Sequence, residues 1–325
     1  MRAAYHTSTG GLDVLRFGEV DDPPAPNATE VLIRVRASSL DRVDLYFREG
    51  SHGMVIRQAP HIGGRDVAGD VIAIGREVTS VHIGDAVVAS GSRAHAELAI
   101  APQALTLALP PNCSYEQAAA IPTAGRSAYQ ALVERVHIAE GETVLVTASG
   151  SGVGSFGVQI ARASGCTVIA TASVRAGASV DKLARARAIG ASVALDSRRA
   201  DLADAVLDAT GGNGVDVVLD HVGTPLWGSV IRTLRPWGRY VTTGVTAGHR
   251  VDLHLGQVFV KGLTITGVGR PTDAQIRRTL EGLLSLVASG DVEPTIAATF
   301  RLGEIADAHA LMMSDDFFGK IVLTV

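Results

Sequence analysis

Val144-Leu145-Val146-Thr147-Ala148-Ser149-Gly150-Ser151-Gly152-Val153-Gly154 is the stretch on which the fold turns. Its opening residues are apolar without interruption, the pattern of a strand covered on both faces. Small residues follow, and then a helical segment from Val153 to Ala163. Strand, glycine-serine bend and helix in that order make a phosphate-binding turn. Glycines let a diphosphate approach the main chain, and the helix N-terminus offers unpaired N–H groups and a favourable dipole. The strict G-x-G-x-x-G spacing is not met: read back from Gly154, it places Ser149 and Ser151 at the first two glycine positions. On the motif alone, a structural glycine-rich turn in another α/β fold stays open.

The surrounding pattern favours the dinucleotide reading. Thr167-Val168-Ile169-Ala170 and Val215-Asp216-Val217-Val218-Leu219 read as buried strands, Tyr240-Val241 as another. Helical segments at Asp181–Ile189 and Leu226–Leu234 separate them, which implies a parallel sheet with helices on both faces. The first third differs. Val31 to Arg36 ends in strict alternation, Val67 to Ile74 is mostly apolar between glycine turns, and Ala86-Val87-Val88-Ala89 follows Gly84-Asp85. Short strands punctuated by Gly and Pro suggest a small barrel-like β domain. Toward the end come a helix near Asp273–Ala288, a short one near Ile305–Met312 and the strand Ile321-Val322-Leu323, expected to return to the first domain. The expected division is 1–122 with 268–325, and 123–267 inserted between them.

Composition bounds the function. Of 325 residues, 46% are hydrophobic, 19% charged and 4% aromatic, and the net charge is −4. No basic cluster suits nucleic acid or an anionic membrane surface, and aromatics are too few for base-stacking platforms. The uncharged run from Thr143 to Ala161 contains a turn and does not read as a membrane helix. Cys113 and Cys166 form no C-x-x-C pair and read as small buried hydrophobes in a reducing compartment, hence a cytoplasmic protein.

A NAD site usually carries a carboxylate at the end of the second strand, about twenty residues past the glycine turn. Here the strand runs out in Thr171-Ala172-Ser173, with Arg175 and Lys182 beyond it. A hydroxyl and cations suit a 2′-phosphate, so NADPH is expected rather than NADH. For Arg175, a solvated surface charge is an equal alternative.

In its ordered blocks the chain resembles the medium-chain dehydrogenase/reductase superfamily, in the zinc-independent NADPH:quinone oxidoreductase-like branch. The matching blocks are Met1-Arg2-Ala3, Glu30–Val35, Leu40–Asp44 with Arg48-Glu49-Gly50, Pro60–Gly69, Ala118–Pro122, Ser149–Gly154 and Phe318–Val322. The resemblance implies an α/β protein: a GroES-like β-rich catalytic domain built from both chain ends, and a Rossmann doubly wound parallel-sheet domain between them. The cofactor would lie in the cleft between the two, and relatives usually form homodimers through Rossmann edge strands, here around Val258–Gly267. The resemblance also implies cofactor contacts at Ser127. Main-chain N–H groups of Ser151, Gly152 and Val153 would hold the pyrophosphate. Ser173 and Lys182 would hold the 2′-phosphate, with Arg175 a substitute because Val174–Val180 departs from the family pattern. Val222 and Thr243-Gly244-Val245 would pass beneath the cofactor.

Zinc alcohol dehydrogenases of this superfamily have Cys where Asp41 stands and Gly-His-Glu where Gly64-Arg65-Asp66 stands. Arginine cannot ligate zinc, and the scattered histidines form no pair at ligand spacing, so no metal is expected. A metal-free site suits acceptors already activated by conjugation, such as quinones and enones. Asp41 replaces the usual Asn and is a candidate acid; a loop carboxylate paired with Arg42 or Arg65 weighs equally. Tyr46, expected on a loop, is a second candidate donor or a packing aromatic. Other readings are a pathway-specific enoyl reductase and a cofactor-binding protein with little turnover.

Overall fold

The alternating segment at Val31 lies in an 11-residue strand, Glu30–Leu40, that buries Val31, Ile33 and Val35. The computed structural model describes residues 1–325 throughout. The chain begins with β1 (Arg2–His6), β2 (Arg16–Glu19), β3 (Glu30–Leu40), α1 (Arg42–Glu49), β4 (His61–Ile62), β5 (Asp66–Ile74), β6 (Ala86–Ser90), β7 (Leu98–Pro102), β8 (Thr106–Ala108) and α2 (Tyr115–Ala119). Then follow α3 (Ala124–Tyr129), β9 (Thr143–Val146), α4 (Gly152–Ala163), β10 (Thr167–Ala172), α5 (Lys182–Ala188), β11 (Val193–Asp196), α6 (Leu202–Ala209), β12 (Val215–Asp220), α7 (Thr224–Arg232), β13 (Leu234–Thr242), α8 (Leu255–Lys261) and β14 (Thr264–Gly267). The chain ends with α9 (Asp273–Ala288), β15 (Ile296–Arg301), α10 (Ile305–Ser314) and β16 (Lys320–Thr324).

The first unit comprises Met1–Thr123, Thr272–Ser289 and Pro294–Val325. Its larger sheet runs β15-β16-β3-β5-β6-β8, with β7 also on β3, and a small sheet runs β2-β1-β4. The last strand does return to the first domain: β16 pairs antiparallel with β3, Ile321 opposite Leu40. That register sets Lys320 beside the end of β3, and Ser39 opposite Asp66 sets the start of β5 there too. Apolar side chains of β3, β5 and β6 form one core, and β16 with α10 and α1 forms another.

The second unit comprises Ala124–Pro271 and Gly290–Glu293. Its sheet runs β11-β10-β9-β12-β13-β14, and every pairing is parallel. The strand order reverses between β9 and β12, the switch point where doubly wound sheets open a crevice at their carboxyl ends. Three differences from the expected division have local causes. Thr123 stays with the first unit because its N–H and Oγ1 both donate to Asp66 (3.2 and 2.6 Å). Residues 268–271 stay with this unit because Val268 N–H donates to Thr242 O (3.2 Å) and Val268 O accepts from Arg135 Nη2 (3.0 Å). Gly290–Glu293 joins it because Gln159 bonds both the N–H and the carbonyl of Glu293 (2.8 and 2.9 Å), and Arg162 donates to Asp291 O (2.7 Å).

Gly154 sits on α4 where the helix meets the turn. A Cβ there would lie 2.3 Å from Ala148 O and 2.6 Å from Ser149 Cα, both backbone atoms. Gly228, on the exposed side of α7, has nothing within 4 Å of a built Cβ. Gly154→Ala is therefore expected to destabilise by about 1–3 kcal/mol through overpacking. Gly228→Ala is expected to stabilise by roughly 0.5–1 kcal/mol. Chemical denaturation of both variants checks this opposition; equal effects would contradict it.

Candidate active site

In the second unit, the residues after β9 close a tight turn. Ser149 N–H donates to Thr171 O (2.8 Å) and Ser151 N–H to Ala148 O (2.9 Å). Ser151 is the N-cap of α4, its hydroxyl accepting from Gly154 N–H at 3.0 Å and lying 2.8 Å from His221 Nε2. This corrects one expectation: the Ser151 N–H is spent inside the turn and is not available to an anion. Gly152 and Val153 open the helix, where N–H groups have no intrahelical acceptor and the dipole is positive.

A buried carboxylate braces this turn from below. Asp220, fully buried at the end of β12, accepts from Thr147 Oγ1 (2.6 Å) and Tyr240 Oη (2.7 Å). It also accepts from the N–H groups of Val222 (3.1 Å) and Gly223 (3.0 Å). Burial, then the Asp220 charge and hydrogen bond, hold the Tyr240 phenol far above its ordinary range. The Val222 N–H is thus committed to Asp220, which leaves Val222 only its side chain and carbonyl. Thr243 N–H is likewise bonded to Asp220 O (2.9 Å), Gly244 bonds the Thr242 hydroxyl, and Val245 is exposed.

Three hydroxyls around this floor are buried with no partner: Ser149 Oγ, Thr171 Oγ1 and Thr243 Oγ1. The free N–H groups of Gly152 and Val153 at the start of α4 are the donors that a dinucleotide diphosphate needs, so the residues present fit such a group. Ser127 is half-buried on α3, which packs on α4. Ser173 is half-buried just past β10, Arg175 is exposed in the following loop, and Lys182 is buried as the first residue of α5.

The first unit holds a different constellation. Asp41 occupies the N-cap position of α1, but its carboxylate does not cap the helix. Asp44 reaches back to the Asp41 N–H (2.8 Å) instead. Asp41 Oδ1 lies 2.5 Å from Lys320 Nζ, which also donates to Leu40 O (3.1 Å) and stands 3.7 Å from Asp66 Oδ2. Asp66 is fully buried and accepts from Ser39 Oγ (3.2 Å), Thr123 N–H (3.2 Å) and Thr123 Oγ1 (2.6 Å). The partner of Asp41 is therefore Lys320, neither Arg42 nor Arg65; Arg42 faces Asp315 at 4.0 Å. Asp41 Oδ2 is buried with no hydrogen bond. Burial pushes the Asp41 carboxyl up to about 7, with Asp66 and Asp44 raising it and Lys320 opposing. Burial alone would lower Lys320, but the carboxylates of Asp41 and Asp66 outweigh it and hold the ammonium above its ordinary value.

Tyr46 lies on helix α1, not on a loop, and is half-buried with its ring stacked on His52 at 3.8 Å between centroids. Burial raises its phenol. Several histidines that look scattered in sequence converge near α1. His95 Nδ1 is 3.1 Å from Ser38 Oγ, and His95 Nε2 is 3.7 Å from Asp44 Oδ2. Ser38 and His95 are too buried to meet a substrate, so this chain braces Gly64, whose N–H donates to Asp44 Oδ1 at 2.9 Å. No group of three His, Cys, Asp or Glu side chains converges as metal ligands. Cys113 is buried, Cys166 only half-buried with its thiol on Ala139 O (3.3 Å), and burial pushes both thiols up to about 11.

Sequence reasoning missed Lys320, which stood only in a family block, and Asp220, which was passed over as part of a strand end. The register of β16 against β3 is the signal that places Lys320, and it is not visible locally.

Residues 27–124 match the alcohol dehydrogenase GroES-like domain and residues 152–289 the zinc-binding dehydrogenase family. A quinone oxidoreductase of Pseudomonas aeruginosa is 32% identical over 99% of this chain and 97% of its own. An acryloyl-coenzyme A reductase of Metallosphaera sedula is 29% identical over 94% and 95%. A crystal structure described as an NAD-dependent alcohol dehydrogenase superposes with a TM-score of 0.90 at 32% identity, covering 100% of both chains. That of the Escherichia coli quinone oxidoreductase complexed with NADPH gives 0.86 at 27% identity, again covering 100% of both. With two matched domains and near-complete coverage, the chain belongs to the medium-chain dehydrogenase/reductase superfamily, in its quinone oxidoreductase-like branch.

Proposed function

We propose that this protein is an NADPH-dependent reductase of a quinone or another α,β-unsaturated carbonyl compound, acting without zinc, with Asp41 as proton donor. The observation that carries the reading is the Asp41–Lys320–Asp66 cluster. Zinc relatives place a metal ligand where Asp41 stands, and Gly-His-Glu where Gly64-Arg65-Asp66 stands. Here both carboxylates turn to an ammonium, at 2.5 and 3.7 Å. A fixed positive charge between them repels a divalent cation and occupies the lone pairs it would need.

Without a Lewis acid, the acceptor must already be polarised, which favours conjugated carbonyls. NADPH would supply the hydride. The N–H groups of Gly152 and Val153 hold its diphosphate, and Ser173 and the cations beyond β10 hold its 2′-phosphate. Asp41 supplies the proton that balances the hydride, and its raised affinity for that proton keeps it partly protonated at neutral pH. An enoyl-thioester reductase is the second reading, favoured by the acryloyl-coenzyme A reductase relative, and it uses the same residues.

We also assign a homodimer. β14 is the open edge of the parallel sheet, with β13 as its one neighbour. Beside it Trp237 (80%), Leu255 (71%), Phe259 (86%) and Val260 (80%) are exposed. The Trp237 ring lies against Gly262 at the end of α8, so these side chains form one apolar patch next to an unpaired strand. A second copy presenting the same edge would cover it. No helix is long and apolar enough to cross a membrane, and both cysteines are unpaired, which supports a cytoplasmic assignment.

Oxidation of NADPH, followed by absorbance, tests the activity against a simple quinone, a simple enone and an enoyl-coenzyme A. Turnover with a conjugated acceptor, unchanged by chelator or added zinc, is expected. Loss of activity on chelation, or uptake of NADPH with no acceptor reduced, would contradict the reading.

The acid is lost as it deprotonates, so kcat should fall as pH rises through about 7. Asp41→Asn should remove that limb and lower kcat by roughly 10²-fold or more. Full turnover with an unchanged pH profile would remove Asp41 from the mechanism.

Light scattering should find a dimer that Phe259→Asp/Val260→Asp converts to a folded monomer. A monomeric wild-type protein would rule the dimer out.

A further inference from the structure

The adenosine end of the candidate cofactor site contains a cation outside the family's matching positions. In doubly wound sheets, coenzyme choice is set beside the end of the second strand, where a carboxylate binds ribose hydroxyls or an arginine receives a 2′-phosphate. That strand is β10, and Ser173 follows it. The neighbouring strand β11 brings its own exit to the same level: it pairs parallel with β10, Asp196 opposite Ala172. Ser197 N–H then donates to Ala172 O at 2.9 Å.

Arg198 is the next residue. Its Nη1 donates to Val174 O at 2.9 Å, one residue beyond Ser173. Asp196 Oδ1 locks the two loops together, accepting from Val174 N–H (3.1 Å) and Arg198 N–H (3.0 Å). The carboxylate nearest in sequence is therefore turned onto main-chain amides. Arg199 alongside is different, because its guanidinium is paired to Asp201 at 2.9 and 2.7 Å. Arg198 has no carboxylate within ion-pair distance, and its one side-chain bond leaves its other guanidinium donors unused. A guanidinium tethered by one N–H and open at the others is pre-organised for a phosphate. Arg198 and Arg175 are both exposed, Arg175 in the loop between β10 and α5.

We infer that Arg198 is a coenzyme-selecting residue, taking the 2′-phosphate of NADPH together with Ser173. The inference rests on the NADPH reading above and goes beyond it in naming what discriminates NADPH from NADH.

The test is calorimetric titration of wild type, Arg198→Ala, Arg198→Lys and Arg175→Ala with NADPH, NADH and adenosine 2′,5′-bisphosphate. Arg198→Ala should weaken NADPH and the bisphosphate by about tenfold to a hundredfold, and NADH by less than about twofold. Arg198→Lys should recover part of the loss, and Arg175→Ala should bind NADPH more tightly than Arg198→Ala does. NADPH affinity unchanged in Arg198→Ala, or NADPH and NADH weakened alike as a purely structural role would produce, overturns the inference while leaving the cofactor reading intact. A wild-type protein that takes up neither dinucleotide overturns both.

Discussion

Asp220 is the constraint on which the dinucleotide site depends. A fully buried carboxylate is costly unless its oxygens are satisfied, and this one takes two side-chain hydroxyls and two main-chain N–H groups. Those donors come from the exits of β9 and β12 and from Tyr240 inside β13. The charge therefore fixes two loop starts and a neighbouring strand against each other at the point where the strand order reverses. With its floor fixed, the Ser149–Gly154 turn can hold the helix N-terminus of α4 toward an anion without reorganising.

The first unit uses the opposite arrangement, a buried cation between carboxylates. β16 returns across the sheet to β3 and delivers Lys320 beside Asp41 and Asp66. Removing either charge would strand its partner in a low-dielectric site. Burial, with a smaller contribution from the Asp66 and Asp44 charges, drives Asp41 toward its protonated form against the opposing Lys320 ammonium.

Much of this was legible in the sequence where apolar periodicity was strong. The strands at Val144, Thr167 and Val215 stand near their expected places, and the helix at Asp273–Ala288 matches to the residue. Helix α1 was read as a loop because Arg42–Glu49 is short and rich in charge, and because its buried residues include Asp44 and Arg48. Strand β11 is not marked in the sequence because it is only four residues long and fully buries Ala194 alone, and Arg198 follows it. Lys320 and Asp41 are 279 positions apart, so their contact follows from sheet register alone. The turn was found, but the internal bond that consumes the Ser151 N–H depends on its closed backbone geometry.

The central claim is that a dinucleotide diphosphate rests on the start of α4. Amide hydrogen exchange resolved at single residues, with and without saturating NADPH, tests it most directly. Slowed exchange at the N–H groups of Gly152 and Val153, with the already bonded Ser151 N–H little changed, is the result this account requires. Unchanged exchange at both residues under saturating NADPH would contradict it.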